Sequence, residues 1–163
     1  FSIAQRLQLI RLLSQGSGAS GMVAGQAIDL ASVGKEVDLT HLERMHAHKT
    51  GALIRISVLM GAHCGNPDED TLKHLTTYAN AIGLAFQVQD DILDIESDTA
   101  TLGKQQGADV ALNKPTYPAL LGLDGAKSKA KQLHQVALAA LQDIAGDTRA
   151  LQQLADYIIT RDH

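Results

Sequence analysis

Apolar residues recur three and four apart along most of this chain. They run Ile3, Leu7, Ile10 and Leu13, then Leu42, Met45, Ala52, Leu53, Ile56 and Met60, then Leu72, Leu75, Ala79, Ile82 and Phe86. That spacing marks one face of an α-helix, and no stretch alternates with the period of two that a half-buried strand requires. Composition agrees: 23 Ala and 23 Leu stand against 7 Val and 11 Ile. Unbranched residues lose little freedom in a helix, whereas β-branched ones favour strands. The fold class is therefore all-α. A chain of 163 residues suits one domain, or a large piece of a bigger one, and can bury ~70% of its unfolded surface.

Breakers divide the pattern into helices. The first opens at once, with no N-cap before it, and stops at Gln15-Gly16-Ser17-Gly18. A second spans roughly 20–33, with Gly34 as its C-terminal stop. A long third helix covers roughly 39–64, capped by Asp38 or by Thr40, whose spacing to Glu43 is that of a capping box. Gly65-Asn66-Pro67 ends it, and acids at 68–70 suit the positive end of a fourth helix over about 68–95. After a loop holding Gly103 and Gly107, a short helix runs from Lys114-Pro115 to about 121. Gly122 stops it, Asp124 opens another to about 145, and a last helix covers about 148–160. Long helices on short connections make a bundle.

Charge and cysteine content exclude several classes. Net charge is −4 with no basic tract, which argues against nucleic acid. No apolar run approaches the ~20 residues of a membrane span. Cys64 is the only cysteine, so there is no disulfide framework, and a lone thiol, read as a small buried residue, points to the cytoplasm.

The acidic excess is local. Asp90, Asp91, Asp94, Glu96 and Asp98 place five acids in nine residues, and without them 13 acids face 14 bases. Gln87, Asp90 and Asp94 share one helical face, and Asp90 follows Phe86 and Ile82 of the apolar stripe toward the interior or its rim. Two carboxylates ~4 Å apart at a surface-like dielectric repel by ~4 kcal/mol. Hard oxygens with open positions suit Mg²⁺, which also takes phosphate oxygens. The plainer reading is a solvated acidic helix end, but the C-terminal end of a helix disfavours acids, which tilts the reading toward a metal.

Lys49 falls on the apolar stripe of its helix, where it either snorkels to the edge or serves a site. Lys49-Thr50-Gly51 lacks the preceding Gly-x-x-x-x-Gly of a phosphate loop. Gln26 and Asp29 share a face with Met22 and Val33, and Gly21 and Gly25 are spaced to admit another helix. Lys104 and Asp109, with Lys114 beyond them, add cations and a carboxylate, and with Lys49 the mixture fits a diphosphate bridged by metal ions. His46 and His48 diverge on a helix, and the other histidines are scattered, so no zinc site is read.

Together these segments resemble the trans-isoprenyl diphosphate synthase family, nearest to its bacterial farnesyl diphosphate synthases. The carrying blocks are Gly21-Met22-Val23-Ala24-Gly25-Gln26-Ala27-Ile28-Asp29-Leu30, His48-Lys49-Thr50-Gly51, Phe86-Gln87-Val88-Gln89-Asp90-Asp91-Ile92-Leu93-Asp94, Gly103-Lys104 with Gly107-Ala108-Asp109, and Asn113-Lys114-Pro115-Thr116-Tyr117-Pro118. Five blocks in order are far more specific than any one alone.

The resemblance implies an isoprenoid synthase-type helical bundle, usually a cytoplasmic homodimer. It implies Mg²⁺ held by Asp90 and Asp94, with Asp91 close by and Asp109 contributing. Lys49, Lys104 and Lys114 would hold the diphosphate of an allylic substrate, dimethylallyl or geranyl diphosphate. Thr50 and Gln87 would line the cavity beside the allylic carbon, where isopentenyl diphosphate adds to give farnesyl diphosphate. The family's first aspartate-rich motif belongs upstream of Gly21, where this chain has only 20 residues and no such motif. Residues 1–163 are therefore expected to be the C-terminal half of one synthase domain, inactive alone. The alternatives are a noncatalytic partner of a full synthase, or a half-bundle that only binds Mg²⁺-diphosphate.

Overall fold

The structure is a computed structural model, and it describes residues 1–96 and 115–162. Among these it contains helices and no strand. Helix α1 (Ile3–Ser17) leads into α2 (Met22–Ser32) and α3 (Leu39–His46). One π turn (Ala47–Gly51) joins α3 to α4 (Ala52–His63). Then follow α5 (Glu69–Glu96), α6 (Tyr117–Gln142) and α7 (Arg149–Thr160).

Capping chemistry sets most boundaries. The first helix does have an N-cap: Ser2 accepts from the Gln5 amide at 3.2 Å while Gln5 Oε1 accepts from the Ser2 amide at 2.9 Å, a full capping box. The box encloses Ile3, the first apolar residue of the stripe, and its Ser-x-x-Gln spacing corrects the expectation of an uncapped start. Asp38 caps α3 by accepting from the His41 amide at 2.8 Å, so Thr40 lies inside the helix. Gly34 at φ +71° turns the chain out of α2. Asp68 accepts from the Thr71 amide at 2.7 Å at the start of α5, and this bond holds its carboxyl below the usual range. Thr116 caps α6, two residues later than the expected start at Lys114-Pro115, and Gly122 (φ 72°, ψ 162°) leaves helical geometry and divides α6 into two helical segments, as expected of that glycine.

The expected single helix over 39–64 is interrupted. At 47–51 the backbone widens into a π turn with bonds five residues apart. Both neighbours of this wide turn are glycines. A Cβ on Gly25 of α2 would lie 2.1 Å from the Lys49 amide nitrogen, and one on Gly83 of α5 would lie 3.1 Å from the Gly51 Cα. The expectation that Gly25 admits another helix is met, and what it admits is this turn.

Helix α5 is the central strut. Toward its N-terminal end Leu75, Tyr78, Ala79, Ile82 and Ala85 pack with Ala137, Ala140 and Leu141 of α6 and with Ala155 and Ile158 of α7. Toward its C-terminal end Val88 and Ile92 pack with Leu42 and Met45 of α3 and with Tyr117, Ala126 and Ala130 of α6. Alanine facing alanine brings α5 and α6 close enough for continuous contact. In contrast, Phe1, Ile3, Leu7, Ile10 and Leu13 of the α1 segment are exposed, as are Val23, Leu30 and Val33 around α2. Cys64 is also exposed, at the frayed end of α4, and not buried as its residue type suggested. No helix among the described residues is long and apolar enough to cross a membrane.

Tyr78 is fully buried and donates its hydroxyl to the Leu151 carbonyl at 2.8 Å, tying α5 to α7. Burial pushes its phenol up from 10.0 to about 12 and pushes Tyr117 up as well. The folded state thus holds these protons more tightly than the unfolded chain. The stabilisation is complete below pH 10 and is lost as pH rises through about 12. Urea unfolding is expected to show stability falling above pH ~10, by about 1.4 kcal/mol per pH unit from each of the two buried tyrosines. Tyr78→Phe should cost about 1 kcal/mol at neutral pH, from one lost hydrogen bond, and should flatten part of that alkaline loss.

Candidate functional site

The π turn presents Lys49 and Thr50 side by side, facing α2 on one flank and α5 on the other. Lys49 Nζ meets Asp29 Oδ2 of α2 at 2.6 Å, with both side chains about one-third exposed (34% and 32%). Lys49 therefore does more than snorkel: it is fixed at a solvent-facing edge by a carboxylate from another helix. Gly25, one turn before Asp29, lets α2 come close enough for this contact. Gln26 lies exposed on the same helix.

Thr50 begins a line of polar contacts along α5. Its hydroxyl donates to Gln87 Oε1 at 3.0 Å, and Gln87 Nε2 donates to Asp90 Oδ2 at 3.1 Å. The other carboxylate oxygen of Asp90 accepts from the guanidinium of Arg161, just beyond α7. Arg161 is nearly buried (11% exposed), with its guanidinium carbon 4.3 Å from the centre of the Phe86 ring. Asp90 is 38% exposed, so it occupies the rim that its helical phase suggested.

Two further acids of the cluster, Asp91 and Asp94, turn inward. Asp91 is buried and accepts from the Tyr117 amide at 2.8 Å, which fixes the first turn of α6 on α5. Asp94 is 2% exposed. Among the described residues, no group of three or more His, Cys, Asp or Glu side chains gathers in a geometry that could hold a metal. Lys104, Asp109 and Lys114 lie outside the described residues. Among the described residues the histidines form no metal cluster: His46 stacks on Tyr117 with ring centres 5.7 Å apart, His41 meets the Ser32 hydroxyl at 2.8 Å, and His134 pairs with Asp156 at 2.7 Å.

Thus Thr50, Gln87 and Asp90 form one connected edge, and Lys49 projects beside it from the same turn. Two participants lie outside the sequence-derived set. Asp29 shared a face with Gln26, but nothing in its spacing paired it with Lys49. Arg161 lies 71 residues from Asp90, a separation that no periodicity can bridge. Chemically, the edge offers hydroxyl and amide dipoles flanked by an ammonium and a carboxylate. Asp90 itself offers hard carboxylate oxygens, the kind Mg²⁺ takes with phosphate oxygens completing its shell, but its described partners are two N–H donors, the Gln87 amide and the Arg161 guanidinium.

An all-α bundle with this edge between its central helices defines a class, and sequence comparison agrees with it. The family described as polyprenyl synthetase matches residues 2–155, and this chain belongs to it. The chain is 52% identical over 162 residues to the farnesyl diphosphate synthase of Haemophilus influenzae, covering 98% of this chain and 55% of that protein. It is 55% identical over 160 residues to the farnesyl diphosphate synthase of Escherichia coli, covering 96% and 54%. A Helicobacter pylori geranyltransferase, crystallised with magnesium and isoprenyl diphosphate, superposes with a TM-score of 0.82 at 32% identity, covering 98% of this chain and 52% of that one. The chain spans about half the length of the curated relatives it matches.

Proposed function

We propose that this chain supplies the allylic half of a prenyltransferase that joins dimethylallyl or geranyl diphosphate to isopentenyl diphosphate and yields farnesyl diphosphate. The observation that carries the reading is the Thr50–Gln87–Asp90 line beside Lys49, in a chain more than half identical to two farnesyl diphosphate synthases. Lys49, with Lys104 and Lys114, binds the outer oxygens of the allylic diphosphate. Asp90 and Asp94, with Asp109, would hold Mg²⁺, while Asp91 serves the packing of α6. Bound there, Mg²⁺ supplies Lewis-acid neutralisation of the leaving diphosphate.

Thr50 and Gln87 point fixed oxygen dipoles toward the allylic carbon. Dipoles that need no reorganisation as charge develops are the most effective stabilisers of a cationic transition state. Apolar walls around the carbon keep water from quenching the cation. The working protein is proposed to be a cytoplasmic homodimer.

A prenyl-transfer assay tests this reading. The substrates are geranyl diphosphate and radiolabelled isopentenyl diphosphate with Mg²⁺. The 163-residue chain alone is expected to give no product. A chimaera in which residues 1–163 replace the matching half of the Escherichia coli relative is expected to give a fifteen-carbon product. A folded chimaera without product would refute the catalytic reading. If it still bound Mg²⁺ and diphosphate together, each strengthening the other, the half-bundle binding module would stand in its place.

A further inference from the structure

Arg161 is the residue that the proposed reaction leaves without a task. Its environment is specific. One nitrogen of the fork binds Asp90 Oδ1 and lies 3.4 Å from the Phe86 carbonyl, its Nε donates to the Ile158 carbonyl at 3.4 Å, and its plane covers the Phe86 ring. With Gln87 on Oδ2, both oxygens of the Asp90 carboxylate are engaged. A divalent cation approaching Oδ1 would meet a guanidinium already there, and like charges at that range in a half-exposed site repel strongly. Arg161 also lies just past the last residue of α7, in extended backbone (φ −61°, ψ 151°). It can swing away without unwinding the helix.

We propose that Arg161 is the resident counter-ion of Asp90 and that a divalent cation must displace it to bind. The guanidinium keeps the rim carboxylate neutralised until metal arrives, and metal entry frees that side chain, while the Arg161 carbonyl stays held by Gln89 Nε2 of α5 at 3.4 Å. This rests on the reading of Asp90 as a metal ligand, and the experiment separates the two.

Binding of Mg²⁺ to the 163-residue chain is followed by calorimetry, and binding of Mn²⁺ by electron paramagnetic resonance, without diphosphate. Arg161→Gln is expected to tighten binding roughly tenfold, within the usual range of coupling between competing events. Arg161→Lys, a compact charge without the planar fork, is expected to fall between. Asp90→Asn is expected to weaken binding. In the unaltered chain the Arg161 side-chain ¹⁵Nε resonance should shift as Mg²⁺ saturates. That readout needs no variant and so survives any loss of packing over Phe86.

If Asp90→Asn weakens binding while Arg161→Gln leaves it unchanged or weaker, and the ¹⁵Nε resonance stays fixed, the counter-ion proposal is overturned and the metal reading survives. Metal binding indifferent to Asp90→Asn, or no binding in any variant, would overturn both.

Discussion

Gly25→Ala is expected to destabilise the chain by about 3 kcal/mol or more, at the upper end for overpacked sites. The added methyl would lie 2.1 Å from the Lys49 amide nitrogen and 2.4 Å from its Cα. Those are backbone atoms, so no rotamer change relieves the clash, and α2 must move off the π turn. The Lys49–Asp29 contact should part with it. Gly34→Ala is the control: it strains a backbone at φ +71° but meets open space, and should cost only about 1 kcal/mol. Urea unfolding of the two variants checks this. Equal, small losses would mean that α2 does not approach the turn so closely in solution.

The second large effect separates two neighbouring acids. Asp91→Ala leaves the buried Tyr117 amide without its acceptor, at a cost of about 1–3 kcal/mol. Asp91→Asn keeps an acceptor oxygen and should lose less. Asp90→Asn should change metal affinity much, and it also removes the charged partner of the nearly buried Arg161 guanidinium, so it should lose some stability through the α7 end and not through the Tyr117 amide. Melting curves alongside metal titrations test the contrast. If Asp91→Ala proves as stable as the native chain, the carboxylate does not anchor α6.

This contrast shows where sequence pattern stops. Helical phase placed Gln87 and Asp90 together on α5 because both belong to one element and phase is a local property. Phase leaves Asp91 off that face, and it is the resemblance that sets it close to the metal; a run of acids carries no sign of which one meets a distant backbone amide. The π turn left no clear mark either: within Ala47-His48-Lys49-Thr50-Gly51 the one glycine does not by itself signal a widened turn, whose neighbours are glycines in α2 and α5. Ser2 is legible as a cap after all: it directly precedes Ile3 and stands three residues before Gln5, the spacing of a capping box. Cys64 departs from the burial usual for its residue type because α4 ends one residue before it and leaves it exposed. Asp29 and Arg161 join the site only through tertiary packing.

The π turn also bears on how the chain tolerates changes in length. Each residue of an α-helix advances the face by about 100°. A deletion within α3 or α4 would therefore rotate everything downstream, taking Ile56 off Gly16 of α1, where they meet in close contact. Within 47–51 the extra residue is already absorbed locally. Losing one there would restore a regular helix and leave both flanks in phase. Gain or loss of a single residue is thus structurally permitted at one place in this long packed helix, and that place holds Lys49 and Thr50. The bundle would survive the event, and the edge where the proposed chemistry occurs would not.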